Sequence, residues 1–166
     1  MRIPLIAFLC LCCFCGQAQS PREIHWINAD HSELNELIGS VFAGKRVLVD
    51  MWAQWCGPCI AEFNSYNQEY YDLLAKYKVE VLFISLDSDA DIRKWEEKAK
   101  AVGPGGYHTR AALTLKTSVI NTFFPTRTVT IPRYALFDER GKMVSSDFVR
   151  PSSGETEKEL KRLFGE

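Results

Sequence analysis

Apolar positions along the chain fall into two kinds of pattern. One recurs at helical spacing: Leu34, Leu37, Ile38, Val41 and Phe42, then Phe63, Tyr66, Tyr70, Leu73, Leu74 and Tyr77, then Leu160, Leu163 and Phe164. Residues three and four apart share a helix face, so each set predicts a helix with one buried stripe. The other pattern is near-continuous: Arg46 to Trp52 (RVLVDMW) and Val79 to Leu86 (VEVLFISL). Short runs rich in β-branched residues suit strands covered on both faces. His25-Trp26-Ile27 predicts a brief strand before them. Asp30, His31 and Ser32 offer N-cap side chains to the first helix, and Gly44 ends it. The second helix is predicted as one long element up to Lys78. Asp89 or Asp91 caps a third, Ile92 to Val102, which Gly103-Pro104-Gly105-Gly106 stops.

Residues 107–130 are the least patterned. Ala111 to Phe124 predicts a helix ending before Pro125, and Thr126 to Thr130 a loop running into a strand. Tyr134 to Phe137 and Met143 to Phe148 predict short strands joined by Asp138-Glu139-Arg140-Gly141, with Gly141 in the left-handed position of a tight hairpin. Glu155 to Phe164 closes the chain as a helix. The order predicts an α/β protein with a central mixed β-sheet flanked by helices. Its first strands run parallel, and a terminal β-hairpin adds antiparallel ones before the closing helix.

Composition narrows the class. The 166 residues suffice for one domain with a full core. A net charge of −1 with no basic run argues against nucleic acid as a partner. Ten Phe, six Tyr and four Trp exclude a mainly disordered chain.

The six cysteines divide into two sets. Cys10, Cys12, Cys13 and Cys15 crowd an apolar stretch that follows Arg2 and ends in Gly16-Gln17-Ala18. A positive start, a short apolar core and small residues before a cleavage point predict a signal peptide over residues 1–18, cut after Ala18. The rival readings are a buried N-terminal element and a lipid-anchored cysteine. The anchor fits poorly, because Leu9, Leu11, Cys12 and Phe14 precede the candidate cysteines where a small residue is needed. Residues 19–166 then form one domain in the periplasm or beyond.

Cys56 and Cys59 are the second set, in Trp55-Cys56-Gly57-Pro58-Cys59. Half of a zinc site is the alternative, but His25, His31 and His108 are scattered, so no metal is expected. The pair sits where a buried strand turns into a helix. Partial positive charge and free N–H groups at a helix start stabilise a thiolate. Cys56 is therefore the expected attacking thiol, and Cys59, one turn inside, the resolving thiol. Pro58 fits the first helical turn. Asp50 is the anomaly inside its apolar strand. A buried carboxylate is costly unless protonated or paired, so it is functional or partly exposed at a strand end.

Gly44 to Cys59 (GKRVLVDMWAQWCGPC) resembles thioredoxin. With the export signal, Ile131 to Val144 (IPRYALFDERGKMV) and Arg150-Pro151-Ser152, the chain is similar to the TlpA/ResA-like group of exported thiol–disulfide oxidoreductases. The resemblance implies a thioredoxin fold and no cofactor beyond the cysteines. It implies that Pro132 is a cis-proline facing the disulfide, that Ile131 pairs with the substrate backbone, and that Asp50 assists proton transfer to Cys59. Trp55, Gly57 and Pro58 would border the substrate, with Trp52 packed beneath. Thioredoxin's partner lysine for the buried carboxylate has no counterpart in Leu82 to Asp87. Glu62 matches a glutamate common in the group, or is a helix-surface charge. Asn64 stands where the group often has a proline, which removes the expected helix kink.

The implied activity is reduction of protein disulfides in the periplasm through a mixed disulfide. The partners would be disulfide-bonded or thiol-bearing envelope proteins and a membrane-embedded electron donor. Two rivals stand beside it. A peroxiredoxin-type peroxidase would want Thr-x-x-Cys, where residues 53–56 read Ala-Gln-Trp-Cys. A non-catalytic thioredoxin-fold binding module would not need the cysteines.

Overall fold

The structure, a computed structural model, describes residues 23–28 and 30–165. The expected signal peptide lies outside the described residues. In chain order the elements are β1 (Ile24–Trp26), α1 (Leu34–Val41), β2 (Arg46–Trp52), α2 (Gly57–Glu62), α3 (Gln68–Lys76), β3 (Val79–Ser85), α4 (Ile92–Val102), β4 (Gly106–Arg110), α5 (Leu113–Phe123), β5 (Arg133–Phe137), β6 (Met143–Ser145) and α6 (Thr156–Phe164).

One sheet carries them, in the order β1-β4-β3-β2-β5-β6. β2 pairs parallel with β3, β3 with β4, and β4 with β1. β5 runs antiparallel to β2, and β6 to β5. The mixed sheet with its antiparallel end agrees with the sequence reading, as does Gly141, at φ +73° in the hairpin turn.

Side chains alternate across a strand. On β2, Val47, Val49 and Met51 face one layer with α1 and α5. Leu48 and Trp52 face the other, with α2, α3, α4 and α6. Asp50 takes its place between Leu48 and Trp52, on the second face. A strand with both faces covered reads as a continuous apolar run, which is why β2 and β3 are so legible.

Three expectations need correction. The long second helix is two helices. α2 ends at Glu62, Phe63–Ser65 tightens into a 3-10 turn, and Tyr66 leaves the helical region at φ −80°, ψ 52°. Asn67 then caps α3, its side-chain oxygen accepting from the Tyr70 N–H at 2.9 Å. The chain breaks without a proline, because an asparagine side chain can satisfy a free helix-start N–H and so compete with a continuous helix. The apolar stripe survives, since both halves pack on the same layer. Second, β4 begins at the last glycine of the predicted stop signal and continues through residues that carry no strand pattern. Gly106 adopts φ +139° where a Cβ would come within 3.1 Å of the Val81 carbonyl oxygen, so only glycine fits this strand start. Third, β6 stops at Ser145, with a register irregularity at Leu136/Phe137. A single bond from the Phe148 N–H to the Tyr134 carbonyl, at 3.0 Å, continues the contact. The caps of α1 also differ: the Leu34 N–H bonds to the Ser118 hydroxyl from α5, while Ser32 bonds to Glu36.

Candidate active site

The turn after β2 carries the cysteine pair. The Cys56 N–H bonds back to the Ala53 carbonyl at 2.9 Å, and the Ile60 N–H reaches the Cys56 carbonyl at 3.1 Å. Cys56 is thus the N-cap of α2, with Pro58 in the first turn. Cys56 and Cys59 form a disulfide, their Cα atoms 5.3 Å apart. The Cys59 N–H points at the Cys56 sulfur, at 3.2 Å. A start-of-helix N–H aimed at this sulfur favours its thiolate form once the bond is reduced. Both cysteines are well covered, at 4 % exposure for Cys56 and 1 % for Cys59, so the helix start is less open than its position in the chain suggests. Cys56 is the outer of the two.

The surroundings divide by exposure. Trp55 is 63 % exposed, and Gly57 and Pro58 are exposed beside it. A Cβ on Gly57 would meet nothing within 4 Å. Trp52 is fully buried and packs edge-on against Phe63 at 5.0 Å between ring centres. The Ile131–Pro132 peptide is cis and leads into β5. Ile131 is half-buried and touches both apolar layers.

Asp50 lies deep in the sheet, paired in register with Phe83 of β3 and Tyr134 of β5 and 1 % exposed. It is not a strand-end surface charge. Its Oδ2 accepts a hydrogen bond from the Tyr66 hydroxyl at 2.9 Å. Burial pushes its carboxyl up to about 8; the Tyr66 bond pulls the other way, and the negative charge of Glu62 adds to the rise. A carboxyl titrating there can exchange protons near neutral pH.

Glu62 is buried as well. It accepts from the Ser152 N–H at 3.1 Å and the Ser152 hydroxyl at 2.8 Å, and Arg150 approaches it at 3.7 Å. This carboxylate joins α2 to the turn that precedes α6. It is not a solvated helix-surface charge.

Two contributors escape a sequence reading. Tyr66 looks like one more member of an apolar stripe, and only its hydroxyl partner distinguishes it. Asp87, 1 % exposed, accepts from the Gln54 N–H at 2.9 Å and the Ser85 hydroxyl at 2.7 Å, and so holds the turn before Cys56. An Asp directly after a buried strand is the available signal for it.

The Redoxin family model matches residues 27–163. The chain belongs to the Redoxin family. Thioredoxin C-3 of Corynebacterium nephridii is 35 % identical over 85 residues, covering 49 % of this chain and 50 % of that protein. The thioredoxin of Mycoplasma pneumoniae is 31 % identical over 83 residues, covering 40 % of this chain and 78 % of its own. Among solved structures, a Bacteroides vulgatus protein named as a thiol-disulfide oxidoreductase superposes with a TM-score of 0.57 at 26 % identity, covering 75 % of this chain and 76 % of that one. The match to thioredoxin C-3 spans half of that protein's length. The fold is thioredoxin-like, and within this Redoxin domain Cys56 and Cys59 hold the position of a redox-active pair.

Proposed function

We propose that this chain is a dithiol–disulfide oxidoreductase that reduces protein disulfides outside the cytoplasm. The observation that carries the reading is the Cys56–Cys59 disulfide at the start of α2, over a strand that holds a buried carboxylate on the same face. In the reduced protein, the Cys56 thiolate attacks one sulfur of a substrate disulfide. The substrate's bond breaks, one substrate thiolate leaves and takes up a proton, and a mixed disulfide joins Cys56 to the other substrate sulfur. Asp50 then accepts the Cys59 proton. The Cys59 thiolate attacks the Cys56 sulfur, and the second substrate thiolate leaves with the electron pair and takes up a proton. The substrate ends as a dithiol and the protein as the disulfide seen in the structure. Trp55, Gly57 and Pro58 border the approach to Cys56, and Ile131 and Pro132 flank it.

Location and direction rest on the sequence. The N-terminal pattern supports export to the periplasm, and the Gly57-Pro58 dipeptide matches thioredoxin, whose potential is about −270 mV. Envelope proteins with disulfides or thiols are then the substrates. A membrane-embedded donor must return the electrons, because the periplasm is kept oxidising.

Insulin-disulfide reduction tests the reading. Cys56→Ser is expected to abolish it, and Cys59→Ser to accumulate mixed disulfides with substrate. An active Cys56→Ser protein refutes the mechanism. A glutathione-buffered titration giving a potential near that of DsbA, about −120 mV, refutes the reducing direction. Thiol-dependent peroxide consumption without insulin reduction would favour a peroxidase instead.

A further inference from the structure

We propose that Tyr66 is a positioning residue for the resolving half of the reaction. Its hydroxyl holds one oxygen of the Asp50 carboxylate and leaves the other as the acceptor for the Cys59 proton. The proposal rests on the reading of Asp50 as the base for Cys59.

The two carboxylate oxygens of Asp50 are unequal. Oδ2 is bonded to the Tyr66 hydroxyl at 2.9 Å. Oδ1 is buried and has no hydrogen-bond partner among the described residues. The strand cannot turn to change this, because β2 is paired on both sides at Asp50. Nor is Tyr66 free to swing away. Its ring packs edge-on against Phe83 at 5.1 Å and Tyr70 at 5.3 Å. That seat depends on the break between α2 and α3, where Tyr66 leaves the helical conformation.

The charges around the carboxyl make Tyr66 matter more. The groups acting on Asp50 and its tyrosine neighbours are Glu62 of α2, Tyr66 of the break, Tyr70 of α3, Tyr134 of β5 and Arg150 before the closing turn. Glu62 opposes ionisation of Asp50, and Arg150 pairs with Glu62 at 3.7 Å. The Tyr66 bond is the interaction that favours the carboxylate. A neutral hydroxyl therefore supplies the anion-favouring contact, and no lysine does.

The step balances without a further reactant. The Cys59 proton passes to Oδ1 of Asp50 while Tyr66 occupies Oδ2. The new thiolate forms a bond to the Cys56 sulfur, and the bond from Cys56 to the substrate sulfur breaks as that sulfur leaves as a thiolate.

Stopped-flow reaction of the reduced mature protein, residues 19–166, in which Cys56 and Cys59 are the two cysteines, with Ellman's reagent, an aromatic disulfide, reads both halves. The first thionitrobenzoate is released when Cys56 attacks, the second when Cys59 resolves the adduct. In Tyr66→Phe the first phase should keep its wild-type rate. The second should slow about tenfold at neutral pH, with its pH profile displaced upward by about one unit, the size expected for losing one hydrogen bond to a buried anion. A second phase with the wild-type pH profile overturns the proposal. 3-Fluorotyrosine at position 66, a stronger donor of similar shape, should displace the profile downward, and an unmoved profile again overturns it. Asp50→Asn separates the two readings. If Asp50→Asn leaves the second phase unchanged, the base reading fails and this proposal with it. If Asp50→Asn slows that phase and Tyr66→Phe does not, the proposal alone fails. In the Asp50→Asn background, Tyr66→Phe should add no further slowing; an added loss would mark Tyr66 as a packing residue and overturn the assignment.

Discussion

Replacing Asp50 with asparagine is expected to stabilise the oxidised protein, by an amount that grows with pH. Asp50 is 1 % exposed, and burial pushes its carboxyl from the ordinary 3.8 up to about 8. Below about pH 4 the group is protonated in folded and unfolded chains alike, and folding carries no penalty for it. Between about pH 4 and pH 8 the unfolded chain loses the proton and the folded chain keeps it. The folded state then binds more protons, so its stability falls by about 1.4 kcal/mol per pH unit. The accumulated loss is about 4 kcal/mol at pH 7 and stops growing above about pH 8. Asparagine does not titrate and retains an oxygen for the Tyr66 hydroxyl, so the variant escapes this loss. Urea unfolding of both oxidised proteins at about pH 5, 7 and 9 reads the difference as a shift in midpoint at constant slope. The advantage of Asp50→Asn should widen from about 2 kcal/mol at the lowest pH and then level off. An advantage independent of pH, or a variant less stable than wild type at pH 9, would refute the burial argument.

Four further outcomes follow from single substitutions. Glu62→Gln removes the negative charge that raises Asp50, so the pH profile of the second Ellman phase should move downward; weaker bonds to Ser152 should cost about 1 kcal/mol in urea unfolding. Asn67→Ala removes the cap of α3 and should cost about 1 kcal/mol, read as a lower urea midpoint. Gly106→Ala must place a Cβ 3.1 Å from the Val81 carbonyl oxygen and 3.2 Å from the Phe83 ring at φ +139°, and should cost about 1–3 kcal/mol. Gly57→Ala, facing open space, should change stability by less than about 0.5 kcal/mol in the same urea unfolding.

Legibility followed burial. β2 and β3 announce themselves because both faces are covered, which demands continuous apolar runs. The cysteine pair is legible because its spacing and its place after a strand carry chemistry as well as packing. β4 hides because Gly-Tyr-His-Thr-Arg has neither alternation nor an apolar run, and its glycine is chosen for close approach to Val81 and Phe83, a neighbour in space. The break before α3 hides because an aromatic stripe reads the same whether the helix is continuous or restarted.

Taken alone, the sequence determined the α/β class, the order of most elements, the redox pair and the oddity of a carboxylate inside an apolar strand. These follow from periodicity and from short spacings, which are local quantities. Only the tertiary structure decided what that carboxylate meets. Asp50 touches a tyrosine sixteen positions away, and Glu62 a serine ninety positions away. Both partnerships are products of sheet register, of the helix break at Tyr66 and of the closing turn against α2. No local pattern encodes them, because hydroxyls that serve packing and hydroxyls that hold a buried carboxylate occupy the same positions on a helix stripe.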